Sequence, residues 1–196
     1  MNELKRIYER MHSAAVEFGK TQADMVYGEG NPQASIVLVG EAPGEQETRL
    51  SRPFVGKAGK NLDEFLDVLG CKREDIYITN VVKFRPTKVS GKGRLSNRPP
   101  SRDEVAISLP ALRREIEAVA PDIVVTLGNV PLRAVSGQKN ATIGACHAKA
   151  TRASALSHTF TLFPLYHPAS IIYNRALAAV YNDDLLVLKE YISTKS

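Results

Sequence analysis

Three residues with side chains suited to holding a planar ligand lie in or beside turns of the chain: Phe54, Asn80 and His167. A buried Asn presents a carbonyl acceptor beside an amide donor, which matches N3–H and O4 of uracil or the corresponding edge of another base. His167 is fixed by the Pro that follows it and can donate a hydrogen bond to charge developing on a reacting group. Phe54 lies between Pro53 and Val55, an unusual place for a core aromatic side chain.

Each of these residues also has an ordinary structural interpretation. Phe54 could anchor its loop to the core, Asn80 could end a strand in a turn, and His167 could be a structural histidine. Taken singly, the residue types leave both interpretations open.

A run of positive charge follows Asn80. Between residues 83 and 102 the chain carries seven basic side chains and no acidic one: Lys83, Arg85, Lys88, Lys92, Arg94, Arg98 and Arg102. A solvated face usually mixes charges of both signs, so the run predicts contact with phosphate groups, with a solvated face as the alternative. The glycines and prolines of this segment favour a flexible arm over a helix.

The loop from Gly40 to Gly56 is rich in Gly and Pro, which leave backbone N–H groups free and let a flat ligand approach the main chain. It is not a Walker loop, because Lys57-Ala58 lacks the Ser or Thr that should follow the Lys. It does not match a dinucleotide-binding fingerprint either.

Hydrophobic periodicity predicts which elements position these residues. Short apolar runs predict strands at 35–39, 76–79, 123–127 and 159–165, and helical spacing predicts helices at 3–18, 58–69, 101–120, 128–136 and 175–192. Ser101 and Glu104 match a capping box, and Pro110 predicts a kink or break in the helix that they open. Strands alternating with helices imply a parallel sheet covered on both faces, whose ligand site lies at the carboxyl ends of the strands.

The composition excludes several classes of protein. The chain has 196 residues, of which 43% are hydrophobic and 24% charged, with a net charge of +5. These values exclude a disordered tail, a collagen-like fibre and a disulfide-rich mini-protein. Two cysteines suit a reducing compartment, and neither a secretory leader nor a run of 18 apolar residues occurs, so we expect a cytoplasmic protein without a membrane contact.

These motifs together resemble the uracil-DNA glycosylase superfamily, most closely its family 4. The resemblance runs from about residue 27 to 190 and rests on Gly40-Glu41-Ala42-Pro43-Gly44, Arg52-Pro53-Phe54-Val55-Gly56-Lys57-Ala58-Gly59, Ile78-Thr79-Asn80-Val81-Val82-Lys83 and His167-Pro168. Signals that are weak singly become specific as a set in this order and spacing.

The resemblance implies a three-layer α/β/α sandwich around a four-stranded parallel sheet, in one domain over residues 1–196 with an N-terminal helix at about 3–18. It implies that Phe54 stacks on a flipped-out uracil, Asn80 reads its Watson–Crick edge, and His167 hydrogen-bonds O2 as negative charge builds on the leaving base. Backbone N–H groups near Ala42 would line the pocket.

The resemblance also assigns DNA contacts to the segment after His167. Ser170, Ile171 and Arg175 would fill the gap left in the duplex and hold phosphate. A plain hydrophobic anchor is the alternative for Ile171 and its neighbour Ile172.

The chain departs from the family 4 pattern at its cysteines. Family 4 enzymes typically hold an iron–sulfur cluster on four cysteines, two ahead of the first strand and two around the second loop. Here Phe84 follows Lys83, and no cysteine occurs between residues 1 and 70. We therefore expect no cluster and no other cofactor or metal, with the N-terminal helix and the basic loop bracing this region instead.

A second departure concerns water. The best-known members of the superfamily have an Asp where this chain has Ala42, so water activation must come from elsewhere. Glu41 and Glu47 are candidates, and Asn80 could also orient the water. For Glu47 the alternative is a salt bridge to Arg49 or Arg52. The basic loop contains no His, so we expect no stable covalent adduct with DNA.

The sequence thus predicts a monomeric, nucleoid-associated glycosylase that acts on uracil-containing DNA and leaves an abasic site. One alternative is a non-catalytic DNA-binding or repair-accessory protein on the same fold. Another is a glycosylase for a different deaminated base such as hypoxanthine.

Overall fold

A six-stranded sheet forms the centre of the protein, whose computed structural model describes residues 3–91, 93–170 and 174–194. The strands are β1 (Glu29–Gly30), β2 (Ile36–Gly40), β3 (Tyr77–Asn80), β6 (Ile123–Leu127), β7 (Thr151–Ala155) and β8 (His158–Leu165). They lie side by side in the order β1-β3-β2-β6-β8-β7. The four central strands are parallel, which confirms the predicted parallel sheet.

The two edge strands were not predicted, and both are antiparallel to their neighbours. Strand β1 has only two residues, and β7 is largely exposed with the polar sequence Thr-Arg-Ala-Ser-Ala. A short or polar edge strand lacks the apolar run that identifies a buried strand, so the sequence gives no signal for it.

Helices cover both faces of the sheet. They are α1 (Glu3–Val16), α2 (Glu45–Leu50), α3 (Lys57–Leu69), α4 (Arg102–Val119), α5 (Asn129–Ser136), α6 (Ile143–Cys146) and α7 (Leu177–Ser193). None of the helices in the described ranges is both long and apolar enough to span a bilayer.

Helix α4 tests two of the sequence predictions. The Ser101 hydroxyl accepts a hydrogen bond from the Glu104 N–H, and the Glu104 carboxylate accepts one from the Ser101 N–H, which confirms the capping box. Pro110 lies inside an uninterrupted helix, so a break at this residue is excluded, and the alternative of a kink stays a prediction. Buried Leu112 and Ile116 follow Pro110 on this helix, and their packing offsets the lost backbone hydrogen bond.

Alternating strand residues belong to two apolar layers. Val37, Val39 and Val124 belong to the layer that contains α1, α4 and α5. Ile36, Leu38 and Val125 belong to the layer that contains α3 and α7. This alternation gives the predicted three-layer α/β/α sandwich, because a strand buried on both faces must be apolar throughout.

The basic segment predicted to be a flexible arm contains a β-hairpin. Its strands are β4 (Thr87–Val89) and β5 (Leu95–Asn97), which pair antiparallel. The exposed side chains of Val89 and Leu95 face each other across this hairpin.

Candidate active site

Phe54, Asn80 and His167 converge at the carboxyl edge of the parallel sheet. Asn80 is the last residue of β3 and pairs in register with Gly40, the last residue of β2. A Cβ atom placed on Gly40 would lie 2.3 Å from Oδ1 of Asn80 and 2.5 Å from Cζ of Phe54, so only glycine lets the amide and the ring meet here. The rings of Phe54 and His167 are 6.0 Å apart between centroids, with their planes inclined by 22°.

The surroundings of His167 define its tautomer and charge. Its Nδ1 accepts a hydrogen bond from the backbone N–H of Ala169 at 3.1 Å, which assigns the proton of the neutral ring to Nε2. Burial lowers the pKa of His167 to about 4. The imidazole is therefore neutral near pH 7 and is a hydrogen-bond donor through Nε2.

The loop that carries His167 is fastened to a helix on the other side of the site. Asn61 of α3 donates a hydrogen bond from Nδ2 to the carbonyl oxygen of Pro168, at 3.0 Å. This link spans 107 residues of sequence and fixes the peptide next to His167.

Phe54 has a left-handed backbone conformation with a φ of 51°, which is unfavourable for a residue with a side chain. Arg73 stabilises it by donating from Nη2 to the Phe54 carbonyl at 2.5 Å, while its Nε binds Asp63 at 2.6 Å. A Cβ atom on Gly59 would lie 2.0 Å from the same carbonyl oxygen. Sequence reasoning missed Arg73, because it lies in a separate turn outside every recognised motif.

Glu47 holds the first loop together. Its carboxylate accepts hydrogen bonds from the backbone N–H groups of Gly44 (3.1 Å), Val55 (3.0 Å) and Gly56 (2.7 Å). The alternative of a salt bridge from Glu47 to Arg49 or Arg52 is wrong, because Arg49 binds Gln46 and Arg52 binds Glu29. A contact of Glu47 with water or the base stays a prediction. Backbone groups could satisfy this carboxylate because helix α2 brings the two ends of the loop together.

The other two predicted site residues of the first loop, Glu41 and Ala42, lie directly after β2. Glu41 is half-buried, and this burial raises the pKa of its carboxyl group. Its carbonyl oxygen accepts a hydrogen bond from Val82 at 3.0 Å, which places it beside the end of β3. Ala42 is half-buried and packs against the apolar layer of α1, α4 and α5.

Three of the basic side chains predicted to contact phosphate form ion pairs with carboxylates of the protein itself. Lys83 has no exposed surface and binds Glu115, so the expectation that it contacts DNA is wrong. Arg98 forms two hydrogen bonds with Glu104, at 2.6 Å and 2.8 Å. Arg85 binds Glu45 at 3.0 Å and is mostly buried. A sequence shows the sign of a charge but not its distant partner, which is why the run overstated the free charge.

The remaining basic positions divide into exposed residues and residues outside the described ranges. Lys88 and Arg94 are exposed on the hairpin, and Arg102 and Arg175 are exposed at or near the starts of α4 and α7. Ser170 is half-buried and donates its N–H to the His167 carbonyl at 2.7 Å. Lys92 and Ile171 lie outside the described residues.

The residues near α1 and Phe84 do not fit an iron–sulfur cluster. Met11, Ala15, Met25 and Phe84 are buried in one apolar cluster, and none of them can ligate iron as a thiolate. Both cysteines, Cys71 and Cys146, are free thiols elsewhere in the chain. Within the described ranges, no group of three or more His, Cys, Asp or Glu side chains is arranged to hold a metal ion.

The fold and the site together define a class of protein. A parallel α/β/α sandwich places an aromatic ring, an amide edge and a neutral imidazole together at one end of its sheet. Residues 27–186 match the uracil DNA glycosylase superfamily, and the chain belongs to that superfamily.

Individual relatives agree with this assignment. The type-4 uracil-DNA glycosylase of Saccharolobus solfataricus is 38% identical over 180 residues, which cover 90% of this chain and 80% of that protein. The type-4 uracil-DNA glycosylase of Archaeoglobus fulgidus is 34% identical over 96% of this chain and 92% of its own length. The crystal structure of wild-type SMUG2 from Pedobacter heparinus has the same fold, with a TM-score of 0.56 at 14% identity over 84% of this chain and 77% of that one.

Proposed function

We propose that the protein is a uracil-DNA glycosylase, which hydrolyses the N-glycosidic bond of deoxyuridine in DNA and leaves an abasic site. The observation that carries this proposal is the convergence of Phe54, Asn80 and His167 beside Gly40. Relatives named as type-4 uracil-DNA glycosylases match most of the chain and support the same activity.

Recognition begins with a uracil that has left the base stack, since the reacting atoms are inaccessible inside a duplex. The Phe54 ring offers a flat apolar surface for the base, and the Asn80 amide offers an acceptor for N3–H and a donor for O4. Cytosine presents the opposite pattern at these two positions, so the Asn80 amide cannot pair with both bases in one orientation.

Cleavage breaks the bond between C1′ of the sugar and N1 of uracil, and the electron pair leaves with the base. The Nε2–H of His167 donates to O2, where part of the negative charge gathers. One preorganised donor of this kind contributes about 3–4 kcal/mol to the transition state. A water molecule then bonds to C1′ and gives up one proton to solvent, while the uracil anion takes up one proton from solvent at N1, which gives the abasic sugar and free uracil.

Glu41 is our candidate for orienting that water. It lies next to Gly40 at the end of β2, and burial raises the pKa of its carboxyl group toward the range useful for proton transfer. Asn80 remains the second candidate for orienting the water, because the Oδ1 atom of its side chain also lies at this edge, beside Gly40.

DNA binding is proposed for the exposed cations near the site. Lys88 and Arg94 of the hairpin, together with Arg102 and Arg175, remain free to meet phosphate groups, and Ser170 lies in the adjacent loop. Contacts by Lys92 and Ile171 stay predictions from the sequence.

We further propose that the protein works without an iron–sulfur cluster, since apolar side chains occupy the region beside Phe84. A monomeric state and a cytoplasmic, nucleoid-associated location also stay predictions from the sequence.

The test is an oligonucleotide assay with purified protein treated with an iron chelator. Substrates carry a single uracil, hypoxanthine or xanthine, and alkaline cleavage detects abasic sites. We expect release of uracil in preference to the other two bases. Binding without release would favour the repair-accessory protein, and preferred release of hypoxanthine or xanthine would favour the glycosylase for another deaminated base.

A further inference from the structure

We propose that Lys83 is a positioning residue for base recognition, which acts by fixing the peptide unit that carries Asn80. This inference rests on the proposed uracil-DNA glycosylase activity and assigns to that site a buried support on the opposite face of the sheet. The observation behind it is that one of the three donors of the Lys83 ammonium group is used on the Asn80 main chain.

Lys83 and Glu115 form an ion pair in which both side chains have 0% exposed surface. The Lys83 ammonium group donates to Glu115, to Oγ1 of Thr79 at 2.7 Å and to the carbonyl oxygen of Asn80 at 2.6 Å. An ammonium group has three N–H donors, so these three acceptors satisfy it completely.

The peptide between Asn80 and Val81 is therefore held at both ends. Its carbonyl oxygen accepts from Lys83, and its N–H donates to the carbonyl oxygen of Gly40 at 2.9 Å. A peptide unit is planar, so two opposed hydrogen bonds fix its orientation and with it the direction of the Asn80 side chain. The amide that reads the base depends on this direction.

The Lys83–Glu115 pair lies on the side of the sheet that α1, α4 and α5 cover. The Asn80 side chain faces the opposite side, where Phe54 belongs to the layer of α3 and α7. Thr79 points toward Glu115 of α4, and the next residue along the strand must point the other way. Tyr8 of α1 and Tyr77 of β3 contact each other beside Glu115. Burial, with a smaller contribution from the charge of Glu115, raises the pKa of both phenols. The support thus links α1, α4 and β3 to the base-reading residue without touching the base.

A buried ion pair is costly to assemble, and two apolar side chains of similar volume often stabilise a fold equally well. The pair consequently needs a reason beyond stability, and the Asn80 carbonyl supplies one. This difference allows stability and activity to be separated by experiment.

The main variant combines Lys83→Met with Glu115→Leu, which removes both buried charges and keeps the volume. We expect it to unfold near the wild-type temperature, while the single-turnover rate of uracil release falls on the order of 10- to 100-fold, since small misplacements cost such factors. The DNA concentration for half-saturation should change less than about threefold, because phosphate contacts dominate affinity. Lys83→Met with Glu115→Gln is the second variant, with the same expectation, if the first does not fold.

Leu112→Ala is the matched control. Leu112 is buried on α4 one turn before Glu115. This change therefore weakens the packing of the same helix and keeps the hydrogen bond from Lys83 to the Asn80 carbonyl oxygen. It should lower Tm and leave the single-turnover rate near the wild-type value at a temperature well below Tm.

The decisive comparison repeats the pair change in an Asn80→Ala background. If Lys83 acts through Asn80, the pair change should lower the remaining rate less than about threefold there, because the two effects are not additive. An equal loss in both backgrounds, or a wild-type rate for the pair variant alone, overturns the inference. A wild-type protein that releases no uracil would instead contradict the proposed function itself.

Discussion

At the scale of single residues, His167 shows how burial sets chemistry. Burial lowers the pKa of its imidazole to about 4, and the N–H of Ala169 occupies Nδ1. The ring can then donate from Nε2 throughout the physiological range without carrying a charge of its own. A neutral donor suits a reaction in which negative charge appears only as the bond breaks.

The first prediction concerns the rate. His167→Ala should lower the single-turnover rate of uracil release by roughly 10²–10³-fold, because one preorganised donor is lost. The Kd for uracil-containing DNA should change less than about threefold, since phosphate contacts supply most of the affinity. Fluorescence anisotropy and rapid-quench assays measure the two quantities, and equal losses in both would instead identify a structural histidine.

The second prediction concerns the pH dependence of stability. The unfolded His titrates near pH 6.5 and the folded His167 near pH 4, so the unfolded state binds more protons between these values. The free energy of unfolding should therefore fall as the pH falls from 6.5 to 4, by about 3 kcal/mol from this residue. Urea unfolding of wild type and His167→Ala at pH 7 and pH 4.5 checks this. If the free energy of unfolding changed equally between the two pH values in both proteins, His167 would contribute nothing to the pH dependence.

At the scale of elements, the side chain of another residue donates a hydrogen bond to a carbonyl oxygen at or beside each candidate base contact. Arg73 holds the carbonyl of Phe54, Lys83 that of Asn80, and Asn61 that of Pro168 next to His167. These links bring the three site residues to one edge of the sheet and keep them there.

The third prediction is for Glu47, which holds the first loop closed. Glu47→Ala leaves three backbone N–H groups without their carboxylate, and we expect a loss of about 3 kcal/mol in the free energy of unfolding, since hydrogen bonds to charged groups are among the stronger ones. The rate of uracil release should fall as well, because two of these N–H groups belong to Val55 and Gly56, which directly follow Phe54. Glu45→Ala on the same helix is the control, and its exposed ion pair should contribute less than about 1 kcal/mol. Equal effects of both changes, by urea unfolding, would rule out a special role for Glu47.

Sequence reasoning works at this scale where a signal is local. The apolar runs of β2, β3, β6 and β8 and the capping box at Ser101 are local, and they predicted the central sheet and the start of α4. The buried ion pair of Lys83 with Glu115 joins residues 32 positions apart, and the hydrogen bond from Arg73 to the Phe54 carbonyl oxygen joins residues 19 positions apart. Such partners depend on the assembled fold, so the sequence showed the charges without showing their partners.

At the scale of the whole molecule, charge is sorted by position. The net charge of +5 includes cations that are bound internally, such as Lys83 and Arg98, and cations that are exposed beside the site, such as Lys88 and Arg94. Only exposed cations can release counter-ions from DNA, so we expect the basic segment to bind DNA less strongly than its seven positive charges suggest, with the exposed cations of the hairpin contributing most.

The fourth prediction tests this arrangement. Lys88→Glu with Arg94→Glu should weaken DNA binding and reduce the slope of log K against log salt by about 2, if each cation neutralises one phosphate. The single-turnover rate at saturating protein should stay near wild type. Arg152→Glu with Lys189→Glu makes the same charge change far from the site, on β7 and near the end of α7. An equal loss of affinity in this control would show that net charge alone matters.

The most direct measurement of the central claim is a crystal structure of the protein with uracil bound. We predict that the base lies with its face on Phe54, with N3–H and O4 hydrogen-bonded to the Asn80 amide and with O2 accepting from Nε2 of His167. Uracil bound elsewhere, or a base at this edge that touches fewer than two of these three side chains, would contradict the account.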